Sequence, residues 1–158
     1  MPATTLLHVP TAEDIRESHR LIHPLIHRTP IMTSQAINEM TGADLHFKCE
    51  NFQKIGAFKM RGAANAASRL TSAQLEKGLA THSSGNHAQA VARAAKVMGV
   101  PAYIVMPENA PAVKVAGTKG YGAEVIFCES TPEAREAKLT EVVARTGAYF
   151  IHPFDDYN

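Results

Sequence analysis

Apolar residues recur at helical spacing early in the chain and at strand spacing further on, and that change of period marks out its elements. Ile15, Ile22 and Ile26 share one face of a helix predicted over 12–26, with Thr11 as N-cap and Glu13 and Asp14 at its positive end. The HRTP stretch at 27–30 ends it. A second helix, over 34–41, starts at Thr33 or Ser34 and stops at Gly42, the residue type favoured just past a helix end. In DLHFKCE, Leu45, Phe47 and Cys49 alternate onto one face of a strand. Helices over 57–70 and 72–77 follow.

From residue 79 the order becomes regular: strand 79–82, helix 86–98, strand 101–106, helix 111–119, strand 124–128, helix 132–146 and strand 148–152. Short connections bearing Gly99, Gly120, Gly122 and Gly147 stand where each helix must stop and turn into the next strand. Strands alternating with helices predict an α/β fold with an open parallel sheet and flanking helices, because parallel strands need crossovers and helices supply them. AYIVM and EVIFC are largely apolar, as strands covered on both faces should be.

Composition narrows the class without changing the picture. A 45% hydrophobic and 20% charged chain is that of an ordinary globular protein. Sixteen Lys and Arg against fifteen Asp and Glu are interspersed, so neither nucleic acid nor a membrane surface is expected as a partner. No stretch approaches the about 18 apolar residues of a membrane span, and MPATTLLHVPTAEDIRE has no signal-like apolar region, which predicts a cytoplasmic protein. Cys49 and Cys128 lie far apart in apolar alternating runs and read as buried, reduced thiols.

Two stretches carry chemistry. THSSGNHAQA, 81–90, gathers hydroxyls, imidazoles, a carboxamide and a glycine ahead of an alanine-rich helix, where ligands of open parallel sheets bind. Ser83, Ser84 and Asn86 offer donors, while Gly85 and Ala88 let a carboxylate or phosphate approach the backbone. The same residues also read as an elaborate N-cap. In NFQKIGAFKMRGAANAA, 51–67, Lys59 stands between Phe58 and Met60. A lysine in an apolar setting loses hydration, which favours the neutral amine, and Arg61 would push it the same way if close. Such an amine forms a Schiff base with an aldehyde, and Phe58 can pack against a ring. The bland alternative is a surface lysine on an amphipathic helix.

Other motifs read more plainly. His19, His23 and His27 recur every four residues, but Pro24 breaks the register and no Cys or carboxylate completes a set, so no metal site is expected. GTKGYGA, 117–123, has its glycines in the wrong order and place for a dinucleotide loop and reads as a helix-to-strand turn. His46 and Cys49 fall on opposite faces of one strand and form no catalytic pair.

FKCENFQKIGAFKMRGAANA and SSGNHAQAVARAAKVMG resemble the Schiff-base lysine segment and the substrate-carboxylate loop of the fold-type II pyridoxal-phosphate enzymes, within them the serine/threonine dehydratase and serine racemase group. PAYIVMPENAPAVKVAGTKGYGAEVIFC and FIHPFDDYN agree, so the likeness covers nearly the whole chain. The resemblance implies a tryptophan synthase beta-like fold, truncated here, with residues 1–79 part of a large domain, 80–153 a small Rossmann-like domain and 154–158 the start of the return to the large one. It implies pyridoxal 5′-phosphate as cofactor, held by Lys59, which also moves the substrate α-proton. Phe58 would support the cofactor ring and Asn86 would bond its 3′-oxygen. Ser83, Ser84, Gly85, Asn86 and His87 would grip the amino acid carboxylate, chiefly through backbone N–H groups, with Ser84 facing the substrate from the side opposite the lysine.

The implied reaction is loss of the α-proton and β-hydroxyl of L-serine, L-threonine or a related hydroxy amino acid, ending in a 2-oxo acid and ammonia. Serine racemisation and threo-3-hydroxyaspartate elimination are the alternatives, and the full-length form would be a homo-oligomer. Ile55 and Ala57 stand where the family often has Thr or Ser, a variant that resembles the hydroxyaspartate-acting members. No run of three glycines occurs, although the family's phosphate loop is glycine-rich; the chain therefore reads as an amino-terminal fragment with little or no turnover of its own. From other function classes, the competing expectations are a non-catalytic anion-binding α/β module and an interaction protein that pairs with another subunit.

Overall fold

Thr11, Ser34, Thr71 and Thr131 each accept, through a side-chain oxygen, from the backbone N–H three residues on, at Asp14, Ile37, Gln74 and Ala134. In the computed structural model, which describes residues 9–154, these caps open α1 (Ala12–Ile22), α2 (Gln35–Thr41), α4 (Ser72–Glu76) and α7 (Pro132–Thr146). The other helices are α3 (Lys59–Ser68), α5 (Asn86–Met98) and α6 (Ala112–Gly120). The strands are β1 (Ile31–Met32), β2 (Phe47–Lys48), β3 (Leu79–His82), β4 (Ala102–Pro107), β5 (Glu124–Cys128) and β6 (Tyr149–Phe150). The expectations for residues 1–8 and 155–158 lie outside the described residues.

Strands β3 to β6 form a parallel sheet in the order β5-β4-β3-β6. Period-two alternation sends successive side chains to opposite faces. Leu79, Ile104 and Met106 join the buried alanines of α3 and α5 on one face; Ala80, Val105 and Cys128 meet Leu139 and Val142 of α7 on the other. Ala63, Ala64, Ala66 and Ala67 of α3 face Ala88, Ala90, Val91 and Ala94 of α5 in one core cluster, so small side chains bring the two helix backbones close. That contact carries Lys59, at the start of α3, toward the start of α5. No helix among the described residues is long and apolar enough to cross a membrane.

The structure departs from the sequence reading at several places. α1 stops at Ile22 rather than 26, because Pro24 enters a 3₁₀ turn over His23–Leu25 and cannot continue the α-helical ladder. The strand expected over 44–50 shrinks to the two residues of β2, paired antiparallel with β1, which the pattern did not reveal; both strands are exposed. Cys49 is accordingly half-buried rather than buried, while Cys128 is buried. Ala57 is extended, so α3 begins at Lys59, two residues later than expected. EVIFC is an edge strand with Glu124 and Phe127 exposed, not a doubly covered one. Most of GTKGYGA lies inside α6, and the turn to β5 is confined to Tyr121–Ala123.

Candidate active site

The loop before Lys59 is held by two polar staples. Gln53, buried, accepts from the backbone N–H groups of His27 (2.7 Å) and Lys54 (2.9 Å) and donates to the carbonyl of His27 (2.9 Å). The Glu50 carboxylate accepts from Arg61 Nε (2.8 Å) and Nη2 (2.7 Å) and from Thr29 Oγ1 (2.6 Å). A bidentate guanidinium partner stabilises the ionised carboxylate. Arg61, opposed by burial but helped by Thr29, brings the Glu50 pKa down to about 2. Arg61 is therefore committed to Glu50. Between the staples, Ile55 adopts φ 62°, a left-handed conformation that costs a β-branched residue about 1–2 kcal/mol.

Lys59 itself is half-buried, and its Nζ donates to the carbonyl of Pro153 at 2.6 Å. The ring of Phe58 lies with its centroid 5.5 Å from that Nζ, and the residue is 60% exposed, so an accessible aromatic side chain stands beside the amine.

The loop from Ser83 to Gly85 follows β3. Ser83 N–H donates to the Val105 carbonyl at 3.0 Å, and its Oγ accepts from Gly85 N–H at 3.2 Å. Ser84 is half-buried, and among the described residues its hydroxyl has no hydrogen-bond partner. Helix α5, unlike the four capped by Ser or Thr, has Gly85 as N-cap and no side-chain cap, so its first N–H groups are free for an incoming anion. The reading of this stretch as an elaborate N-cap is thereby overturned. Asn86 is exposed at the first turn and accepts from Lys114 Nζ at 2.9 Å.

His87 points the other way. The residue is 6% exposed, and Nε2 lies 3.2 Å from the carbonyl of Ile151, an acceptor only; Nε2 therefore carries the proton and Nδ1 is the acceptor. Burial, reinforced by the charge of Lys59 and opposed by the Ile151 bond, holds its pKa down to about 4. The imidazole is a neutral strut, and what His87 offers to a ligand is its backbone N–H. Burial and the neighbouring His152 also lower the pKa of His82. The Ile151 carbonyl accepts from Thr81 Oγ1 as well, at 2.8 Å. Thus the segment 151–153 ties together the end of β3, the first turn of α5 and the Lys59 amine.

A family model described as pyridoxal-phosphate dependent enzyme matches residues 22–158. The chain belongs to that family. Serine racemase of Dictyostelium discoideum is 50% identical over 146 residues, covering 92% of this chain and 45% of the relative. β-Hydroxyaspartate dehydratase of Paracoccus denitrificans is 49% identical over 150 residues, covering 95% of this chain and 48% of the relative. The solved structure of maize serine racemase superposes with a TM-score of 0.91 at 50% identity, covering 94% of this chain and 45% of that one. The chain thus spans a little under half the length of these relatives, and its parallel sheet with flanking helices is the fold of the family's solved structures.

Of the residues singled out in the sequence, Lys59, Ser83, Ser84, Gly85, Asn86 and His87 fall around the carboxyl end of β3 and the starts of α3 and α5, with Phe58 at the outer side. The carbonyls of Ile151 and Pro153 and the ammonium of Lys114 escaped sequence reasoning. They meet their partners across 64, 94 and 28 residues, where no local spacing signals a contact. His19 and His23 stack edge-on with ring centroids 6.2 Å apart on the far end of the chain, in α1 and the turn after it.

Proposed function

We propose that this chain supplies the lysine and the carboxylate-binding loop of a pyridoxal-phosphate enzyme that eliminates the β-hydroxyl of a small hydroxy amino acid, L-serine, L-threonine or threo-3-hydroxyaspartate, to give a 2-oxo acid and ammonia. The observation that carries this reading is that Lys59 and the uncapped start of α5 hang on one segment, through the Pro153 and Ile151 carbonyls. In the same reading residues 80–153 are a small domain and 1–79 part of a large one.

The residues fit the aldehyde and ring of the cofactor: a primary amine, an exposed aromatic residue with its ring centroid 5.5 Å away and a row of free N–H groups. When bound, pyridoxal phosphate supplies an electron sink for the pair left at the substrate α-carbon. Lys59 would hold the cofactor through its aldehyde, and once released by the substrate's own amine its Nζ would be the base that takes the α-proton from one face. The backbone N–H groups of Ser84, Asn86 and His87 would hold the substrate carboxylate, joined by that of Gly85 on its release from Ser83 Oγ, while Phe58 would support the cofactor ring and Asn86 would meet its 3′-oxygen. Ser84 Oγ, unengaged among the described residues, stands ready to give or take a proton at the opposite face.

Racemisation of serine is the second reading, favoured by the serine racemase relatives and by that free hydroxyl. The departure at Ile55 and Ala57 together with the β-hydroxyaspartate dehydratase relative favours a dicarboxylic substrate within the first. Borohydride reduction of protein incubated with the cofactor, followed by peptide mapping, should add the phosphopyridoxyl mass to the Lys59 peptide and nowhere else, and Lys59→Ala should abolish it. Labelling of another lysine in the wild type defeats the reading. Ser84→Ala should lose racemisation while keeping much of the elimination of L-serine; equal loss of both contradicts the two-face assignment.

A further inference from the structure

Asn86 carries a carboxamide, whose oxygen only accepts and whose nitrogen only donates, and the two ends are nearly the same shape. Whichever end faces the cofactor depends on what holds the other. In this structure the holder is Lys114. Its Nζ donates to Asn86 Oδ1 at 2.9 Å, and an ammonium has no acceptor to offer the amide nitrogen. Among the described residues Nδ2 has no protein partner and no carboxylate neutralises Lys114.

The position of Lys114 is itself built. Gly117 lets α6 press on α5: a Cβ there would come within 3.0 Å of Gln89 Oε1. Thr118, fully buried, donates from Oγ1 to the Lys114 carbonyl at 2.9 Å. Helix α6 therefore delivers the ammonium over the first turn of α5 from a fixed base.

We propose that Lys114 is a positioning residue that orients the Asn86 carboxamide, taking Oδ1 and committing Nδ2–H to the cofactor's 3′-oxygen. This rests on the reading of Asn86 given above. An anionic oxygen can only accept, so the flipped amide would set two oxygens against each other. The positive charge on Oδ1 also polarises the amide, making Nδ2–H a stronger donor than an unassisted asparagine. Lys114 touches neither cofactor nor substrate in this scheme and acts through Asn86 alone.

The test is a double-mutant cycle on the purified protein, read by titration with pyridoxal phosphate and by the absorbance of the bound cofactor. Lys114→Met should weaken cofactor binding about tenfold, the scale of one charge-assisted hydrogen bond, and shift the visible band; Lys114→Arg should restore both. Asn86→Ala should weaken binding, and adding Lys114→Met to it should change nothing more. In the cofactor-free protein, the Asn86 side-chain amide resonances should move in Lys114→Met and return in Lys114→Arg. Additive losses in the double variant, unmoved Asn86 resonances, or a Lys114→Met protein that binds and absorbs as wild type would each overturn the proposal while leaving the Lys59 reading intact. If Asn86→Ala binds the cofactor as wild type does, the role of Asn86 falls and the proposal with it, whereas failure to trap the cofactor on Lys59 would mark the failure of the functional reading itself.

Discussion

Replacing His87 with Gln should abolish a steep loss of stability in mild acid. His87 is 6% exposed, and burial holds its pKa down to about 4 against the usual 6.5. Between those two values the unfolded chain binds a proton at this residue and the folded protein does not, so stability falls as pH falls. The full contribution is present above 6.5, drains away through the window and is constant below about 4. At 1.36 kcal/mol per pKa unit the window spans about 3 kcal/mol, a large part of the 5–15 kcal/mol by which domains are stable. Gln can still donate to the Ile151 carbonyl and does not titrate.

Urea denaturation of wild type and His87→Gln at pH 7.5 and pH 4.5 measures that difference directly. The wild type should lose about 2–3 kcal/mol more than the variant between the two conditions. Parallel stability curves for the two proteins across this range would show that the imidazole is not held neutral by burial, and the strut assigned to it would fail.

Glu50 acts in a lower window. Its folded pKa of about 2 lies below the usual 4.5, so its stabilisation is present above 4.5 and lost as pH falls toward 2; Glu50→Gln should cost about 1–3 kcal/mol at pH 7 and flatten that acid limb, measured by the same denaturation series. Gly78 has φ +87°, and a Cβ there would sit 2.6 Å from the Pro101 carbonyl oxygen, so Gly78→Ala should destabilise by about 2 kcal/mol or more, seen as a lower thermal midpoint; an unchanged midpoint would mean that the turn into β3 yields freely. Thr131→Ala removes the α7 cap and should cost about 1 kcal/mol, whereas Ser83→Ala, which removes no cap, should leave helix stability nearly untouched.

The parallel sheet was legible because its signals are local. The strand segments alternate or run apolar, glycines stand at the helix ends, and β3, β4 and β5 each meet the next through one crossover, while α7 carries the chain back across the sheet to set β6 beside β3. The β1–β2 ribbon was not, since two residues on each side pair without burying a face and so impose no period. The candidate site divides in the same way. The lysine segment and the SSGNH loop are contiguous in sequence and their residue types speak for themselves. What joins them is main-chain carbonyl chemistry at Ile151 and Pro153, and carbonyls carry no residue-type signature. The absence of a side-chain cap on α5 was equally hidden, because Ser and Asn are the residues expected to cap; only the geometry shows Ser83 spent on Gly85 and Asn86 held by Lys114. A loop made of good capping residues that does not cap its helix leaves its N–H groups for something else, and that inversion of the local preference, rather than the composition, turns SSGNH from a helix start into a candidate carboxylate clamp.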